Sequence, residues 1–440
     1  MPNPEAAKRR SVRLNLALAA LAVAILLTPA CKQEEPAGGD LQALRMAASA
    51  AYAQQDYAAF LEHTQAALAL SPQHPTLLYN SAAGYALTGS PEPSIAALDR
   101  LIALGLSYNL MGDSDFGSLL QRRDFQVVLT GMARNRVAVV RSRLLLELPD
   151  TTVHVEGIAY DPVARRYYFG TIRSRSILTA TTGGEAGEFV PPGEHGLMAV
   201  LGLVVDARRR LLWVATSALP QMDGFRATDE GHSALLAFDL DSGEKVSDYR
   251  SPGGLAGGTA FNDLALAGDG SVYVSDGRGA IWWASAGSGR LEEIYRASES
   301  FQGIVSTASG DRLLVAAYGS GIWAIDTATR SASLLSYPAD ATLLGIDGLA
   351  TYRGSLIAVQ NGVRPYRVLR LALNPEQSAI TAVRVLERNH PDHGEPTLGV
   401  VVGDRFHYVA NSAWNDYDMS GQLRPGATRK KPLILSLPLE

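Results

Sequence analysis

Residues 347–361 read DGLATYRGSLIAVQN, and this short phrase decides the fold. An oxygen-bearing residue and a glycine open it, and a short run with alternating apolar positions follows. Arg353-Gly354 then supplies turn chemistry, and a second apolar run closes the phrase. Two such runs joined by a glycine-containing turn form a β-hairpin. Five more copies are present: EGIAYDPVARRYYFGT from Glu156, LGLVVDARRRLLWVATS from Leu201, NDLALAGDGSVYVSD from Asn262, QGIVSTASGDRLLVAAY from Gln302 and LGVVVGDRFHYVANS from Leu398. The leading residues stand 45, 61, 40, 45 and 51 positions apart.

A third apolar run follows several copies, at 234–240, 280–285, 321–326 and 368–373. Six units of about 40–60 residues, each a small antiparallel sheet, predict a six-bladed β-propeller rather than a two-sheet sandwich. The fold class is therefore mainly β, with the propeller over 145–440. The longer second unit has room for an insertion at 218–232 (ALPQMDGFRATDEGH), a polar loop expected to lie over one face.

Composition agrees with this reading and excludes others. At about 100–200 residues per domain, 440 residues suit two or three domains or one large β architecture. An apolar content of 47% supports a sizeable core, and 42 glycines supply turns. The single cysteine excludes an internal disulfide framework and a Cys-rich zinc site. A net charge of −5, with no basic block in the body of the chain, argues against a nucleic-acid partner.

The first strand of each propeller blade runs along the central channel, so the six leading residues should meet around the axis. They are Glu156, Leu201, Asn262, Gln302, Asp347 and Leu398. Four carry side-chain oxygen and two are acidic. Two carboxylates converging on a channel repel one another unless a cation offsets them. Two carboxylates with two amide carbonyls suit Ca²⁺, and Mg²⁺ or Mn²⁺ less well, while the absence of histidine and cysteine argues against zinc. Glu156, Asn262, Gln302 and Asp347 are the expected metal ligands. A structural calcium, or a polar channel filled with water, remains the alternative for this ring.

The pattern over about residues 150–420 resembles the SMP-30/gluconolactonase family, calcium-dependent six-bladed propellers related to the paraoxonases. Glu156-Gly157 matches the family's opening E-G, whose glutamate binds the metal. Asp347-Gly348 matches its D-G, whose aspartate binds the metal and serves as general base. Asn262-Asp263 matches the N-D that lines the substrate pocket. The resemblance implies a metal-dependent hydrolase of a lactone or small ester, with Asp347 as catalytic base and Asn262 and Asp263 as substrate-binding residues. Gln302-Gly303 stands where the family has an Asn-Gly, and Thr259-Ala260-Phe261 replaces its arginine, which points away from a sugar-acid lactone. A non-catalytic envelope scaffold or ligand-binding propeller stays open as the alternative.

Residues 41–104 are rich in Ala and Leu with helical periodicity, broken at Pro72, Pro75 and Gly89-Ser90-Pro91. Ala51-Tyr52-Ala53 recurs as Gly84-Tyr85-Ala86, and Phe60 with Ala67 recurs as Ile95 with Ile102, at offsets of 33 and 35. A period near 34 resembles the tetratricopeptide repeat. A small helical region over 41–132 is expected. It is either a spacer packed on the propeller or a surface for a protein partner, and so few units favour the spacer.

Before it, Lys8, Arg9, Arg10 and Arg13 precede an apolar stretch at 14–27. Fourteen residues span about 21 Å, short of the roughly 30 Å bilayer core, so residues 1–30 read as a signal peptide. Thr28-Pro29-Ala30-Cys31 resembles a bacterial lipobox, which implies lipidation at Cys31, a tether at 31–40 and attachment to the membrane through the N-terminal lipid. Lys32 after the cysteine implies the outer membrane, facing the periplasm. Residues 1–30 carry four basic side chains and one acidic, so removing them shifts the net charge from −5 to about −8 and leaves the acyl chains as the anchor.

His195, His232, His390 and His393 fall in loops and read as surface residues; residues 390–397, with Glu395, are the best placed of these because they lead into the sixth phrase. Asp276-Gly277 and Asn411-Ser412 end second strands and read as turn caps at the opposite face. Trp282, Trp283, Trp323 and Trp414 read as blade packing. No G-x-S-x-G elbow, P-loop or dinucleotide fingerprint is present in the sequence.

Overall fold

The computed structural model describes residues 38–252, 258–285 and 287–440, with side chains from residue 41 onward. The expected signal peptide and Cys31 lie outside the described residues. Five helices come first: α1 (Gly38–Ala53), α2 (Tyr57–Leu70), α3 (Pro75–Leu87), α4 (Pro91–Ala103) and α5 (Arg123–Asn135). The helix α1 begins inside the stretch read as a tether, because Gly38 and Gly39 join the first turn. Asp56 caps α2 by accepting the Ala59 N–H at 3.0 Å. Proline occupies the first turn of α3 and α4, where its missing N–H costs nothing. Phe60, Ala67, Leu78, Ala82, Leu98, Phe116 and Phe125 form the buried core of this region.

Beyond the helices the chain forms six four-stranded antiparallel sheets. Five are built from consecutive strands: β2–β5 over 155–190, β6–β9 over 199–250, β10–β13 over 261–296, β14–β17 over 301–334 and β18–β21 over 346–388. The sixth runs β22 (Gly399–Val402), β23 (Arg405–Val409), β24 (Leu433–Pro438) and then β1 (Arg143–Glu147). The chain thus enters the propeller on the outer edge of its last blade, with Arg143 opposite Ser436 and Leu144 opposite Leu435. Blade six therefore joins a strand from before the first repeat to three strands from the last. The repeated phrase does not reveal this closing strand, because β1 precedes the first copy.

The entry into β1 is held by a buried carboxylate. Glu387 accepts the Ser142 hydroxyl at 2.7 Å, the Arg141 and Ser142 backbone N–H groups at 3.0 and 2.8 Å, and the Tyr408 hydroxyl at 2.7 Å. Burial raises its pKa, but these donors outweigh burial and hold it below the usual glutamate value. The helices are fastened to blade five. Arg367 donates to the Leu104 carbonyl at 2.9 Å, the Ser107 N–H donates to the Arg364 carbonyl at 2.9 Å, and Val363 joins the helical core.

The six inner strands are β2 (Val155–Asp161), β6 (Ala199–Asp206), β10 (Phe261–Leu266), β14 (Phe301–Ser306), β18 (Ile346–Tyr352) and β22. In the first five, the pairing with the second strand slips across the same two residues of the phrase, between Val155 and Ile158, Val200 and Leu203, Phe261 and Leu264, Phe301 and Ile304, and Ile346 and Leu349. The slip falls on Glu156-Gly157, Leu201-Gly202, Asn262-Asp263, Gln302-Gly303 and Asp347-Gly348. A bulge of this kind re-aims a side chain and bends the strand.

In four of these pairs the glycine lets the next blade's backbone come close, and in the third Asp263 takes its place. A methyl on Gly202 would stand 2.6 Å from Asp263 Cα, one on Gly303 would stand 2.6 Å from Leu349 N, and one on Gly348 would meet Thr397 O at 2.5 Å. A methyl on Gly157 would collide with the Leu201 carbonyl oxygen. Blade six differs: the space beside Gly399 is filled by Phe406 of its own blade. Ring closure there passes instead through Thr397, whose hydroxyl donates to the Glu156 carbonyl at 3.1 Å.

Backbone cannot yield as a side-chain tip can, so Gly303→Ala is expected to lose about 1–3 kcal/mol of stability by overpacking. Gly187→Ala, where nothing lies within 4 Å of the added carbon, should change it little. Thermal and denaturant unfolding of the two variants distinguishes them, and equal effects would remove the close approach as the constraint.

Candidate functional site

The bulges turn the leading side chains into one cavity of about 290 Å³. Glu156, Asn262, Asp263, Gln302 and Asp347 all line it, together with Leu201 and Leu398. Every leading residue of the six phrases therefore reaches the same space. The leucines form part of its wall without filling it.

Each acidic side chain is held by neutral donors. Glu156, buried among inner strands, accepts the Ser412 hydroxyl at 2.5 Å and the Trp414 indole N–H at 2.7 Å, both on one oxygen. Burial and the nearby Asp347 raise its pKa well above the ordinary value, against the pull of these two donors. Asp347 accepts the Asn361 amide at 2.5 Å, and burial pushes it up to about 6. Asn361 is itself fixed, donating to the Pro396 carbonyl at 3.0 Å and accepting the Tyr318 hydroxyl at 3.0 Å. Asp263 stands where the other phrases carry glycine. One of its oxygens accepts the Ile304 N–H of the next blade at 3.4 Å, and burial pushes it up to about 7.

The two amides line the cavity while their N–H groups are engaged elsewhere. Asn262 spends its N–H on the Phe301 carbonyl at 2.7 Å, and Gln302 donates to the Ser300 hydroxyl at 2.9 Å. Each keeps a carbonyl oxygen free. A fourth carboxylate, Glu395, enters from the loop before β22 and also lines the cavity. Burial first, and Asp347 second, push it up to about 7.

Several expectations change at this point. Ser412 is not at the opposite face. In an antiparallel hairpin the end of the second strand lies beside the start of the first, so Ser412, Asn361 and Ser275 share the channel mouth with the leading residues. Asp276 does act as a cap, accepting the Ala260 and Arg278 N–H groups at 2.8 Å and the Trp282 indole at 3.1 Å. Trp282 and Trp323 pack between blades as expected, whereas Trp414 lines the cavity and binds Glu156. His390 and His393 are buried, not superficial, and His393 bonds to the Tyr408 hydroxyl at 2.8 Å away from the cavity lining. The 218–232 insertion does lie at the site, with Leu219 in the wall and Met222 packed near Leu201.

No family model matches the chain, and no curated protein matches it either. Among solved structures it is similar to an oxidoreductase (glucose dehydrogenase) from Thermus thermophilus, at 17% identity over 68% of this chain and 100% of that one, TM-score 0.44. A luciferin-regenerating enzyme is similar at 11% identity over 69% of this chain and 95% of the other, TM-score 0.45. A chain of a nidogen/laminin complex follows at 15% identity over 52% and 84%, TM-score 0.39. The propeller itself is established by its six sheets.

Asp263 provides a test of the site's electrostatics. With a folded-state pKa of about 7 against 3.8, the native state holds a proton more tightly than the unfolded chain. Its contribution to stability is thus present below about pH 4 and lost as pH rises through about 7. In the presence of a chelator, Asp263→Asn should be more stable than wild type at pH 8, by on the order of a few kcal/mol, and the gap should close towards pH 4. Urea denaturation across this range measures it.

Proposed function

We propose that this protein is an SMP-30/gluconolactonase-like hydrolase that cleaves a lactone or small ester with the help of a divalent cation. The observation that carries the reading is the convergence of Glu156 and Asp347, from separate blades, on one cavity where only neutral donors hold them. Among the described residues no group of three or more His, Cys, Asp or Glu forms a ready-made metal cluster. The proposed ligand set instead mixes Glu156 and Asp347 with the amide carbonyls of Asn262 and Gln302. Its donors are all oxygen, which suits Ca²⁺ ahead of Mg²⁺ or Mn²⁺. When bound, such an ion supplies Lewis-acid polarisation of the substrate carbonyl.

The chain's own residues do the rest. Asp347, raised to about 6, is matched to general-base work near neutral pH, and Asn361 leaves one of its oxygens free to take a proton from water. The water oxygen adds to the carbonyl carbon and the ester C–O bond breaks. The alcohol leaves with one proton, and the acid product accounts for the other. Glu156 is kept in place by Ser412 and Trp414. Asn262 and Asp263 orient the substrate, while Leu201, Leu219 and Leu398 keep bulk water from the reacting carbon.

Hydrolysis of a lactone and aryl-ester panel is the test. Asp347→Asn should lower kcat by about 10²–10⁴-fold, the usual size of a lost general base. Wild-type thermal stability should rise with Ca²⁺ and fall with chelator. That rise should be larger at pH 8 than at pH 5, since raised carboxylates must shed protons before holding an ion. No turnover and no calcium stabilisation would leave a non-catalytic binding propeller.

Export and lipid anchoring rest on Thr28-Pro29-Ala30-Cys31 and the apolar run before it. No helix among the described residues is long and apolar enough to cross a membrane. Cys31→Ser should move the protein from the membrane fraction to the soluble fraction of an expressing bacterium and abolish incorporation of labelled fatty acid. Unchanged fractionation and labelling would refute the anchor.

A further inference from the structure

We propose that the cavity selects positively charged substrates and that Glu395 is the residue that does so. The substrate class is an ester or lactone carrying an organic ammonium group near its reacting carbonyl. This inference rests on the hydrolase reading and narrows it.

The argument begins with the charge of the lining. Glu156, Asp263, Asp347 and Glu395 all contribute carboxyl groups to the wall, and the described lining residues include no lysine, arginine or histidine. Only above their raised pKa values do these groups carry four negative charges, of which one divalent ion offsets two. Asp263 is directed into the seam between blades, where Ile304 N donates to it. Glu395 is the carboxylate left without a task.

Its backbone is held firmly. Glu395 bridges Asn411, its carbonyl accepts the Ser412 N–H at 3.0 Å, and Gly394 N–H donates to Ala410 O at 3.0 Å. The side chain is thereby placed beside the cavity by the same strand end that positions Ser412 against Glu156. The Asn415 N–H serves this carboxyl group, yet Oε2 is buried with no hydrogen-bond partner. An unpaired buried carboxylate oxygen is costly unless a counter-charge reaches it.

The protein does not supply that counter-charge in the lining. The neighbouring guanidinium, Arg364, donates to the Asn361 and Val363 carbonyls at 3.0 and 3.2 Å and lies over the Tyr366 ring at 3.8 Å. It is engaged outside the wall, and although its charge lowers the Glu395 pKa, burial and Asp347 outweigh it. Tyr318 and Trp414 meanwhile place aromatic rings in the lining, surfaces that attract an organic cation. Carboxylate, aromatic rings and the absence of a basic lining residue together favour an ammonium group and disfavour an anionic substrate.

The test compares two esters of nearly the same shape, acetylcholine and 3,3-dimethylbutyl acetate, which differ in a quaternary nitrogen against a quaternary carbon. Calcium-loaded wild type should prefer the charged ester by about tenfold or more in kcat/KM, chiefly through KM. Glu395→Gln should bring the ratio close to one, and Glu395→Asp should restore part of it. A merely structural role would lower both esters alike and leave the ratio unchanged.

Calorimetric binding of tetramethylammonium to the calcium-loaded protein provides a readout that needs no turnover. Binding lost in Glu395→Gln supports the selection even if neither ester is cleaved, a result that would sink the hydrolase reading alone. Turnover of both esters at equal rates, with no tetramethylammonium binding, overturns the charge selection and leaves the hydrolase standing. Absence of both turnover and binding overturns both.

Discussion

The structure depends on one close approach, that of each inner strand's backbone to the bulge of its neighbour. At Gly157, Gly202, Gly303 and Gly348 there is no room for a side chain, because the next blade's main chain occupies the place where a Cβ would stand. This spacing draws the blades together tightly enough to form a ring. It also forces the preceding residue out of the ladder, and an unpaired residue on a bulge can aim its side chain along the channel. Architecture and site therefore arise from the same two-residue unit. The glycine sets the distance between blades, and the residue before it supplies the chemistry.

Asp263 is the instructive exception. It occupies the glycine position of the third phrase, so its carboxyl group fills a seam that is elsewhere closed by backbone. It reaches across to Ile304 N of the following blade. Burial raises its pKa, and the backbone donors, Leu264 of its own strand and Ile304 of the following blade, only partly oppose this. A side chain that is tied to the seam and also exposed to the cavity couples the charge of the site to the packing of the ring. The neighbouring carboxylates behave differently. Glu156 and Asp347 each keep one oxygen engaged by fixed neutral donors, so their orientation is set before any ligand arrives.

Much of this was legible in the sequence because the signal is local. A hairpin of about fifteen residues leaves a period-two apolar pattern and a turn, and six copies at similar spacing imply blades whatever their detailed contacts. The identities of the leading residues then imply a ring of oxygen donors. The partners of those residues were hidden. Ser412 and Trp414 stand more than 250 positions from Glu156, and a serine at a strand end reads equally well as a turn cap. Asn361 closes the same phrase that Asp347 opens, so antiparallel geometry could have revealed it. The buried state of His390 and His393 depends on how the loop before β22 folds inward, which composition does not encode.

The sequence by itself determined the number of blades, their order and the residues that open each one, since these follow from short-range pattern. It also carries the signal-like N-terminus and the lone Cys31, a matter of linear motif rather than of folding. Only the tertiary structure decided that the outer strand of blade six comes from residues 143–147. It alone placed Ser412, Trp414 and Asn361 as the groups that hold the carboxylates, and brought Glu395 to the cavity with an unpartnered oxygen. The physical reason is ring closure. Joining the first and last parts of the chain brings together residues with no local pattern in common, and their chemistry appears only once the blades have met.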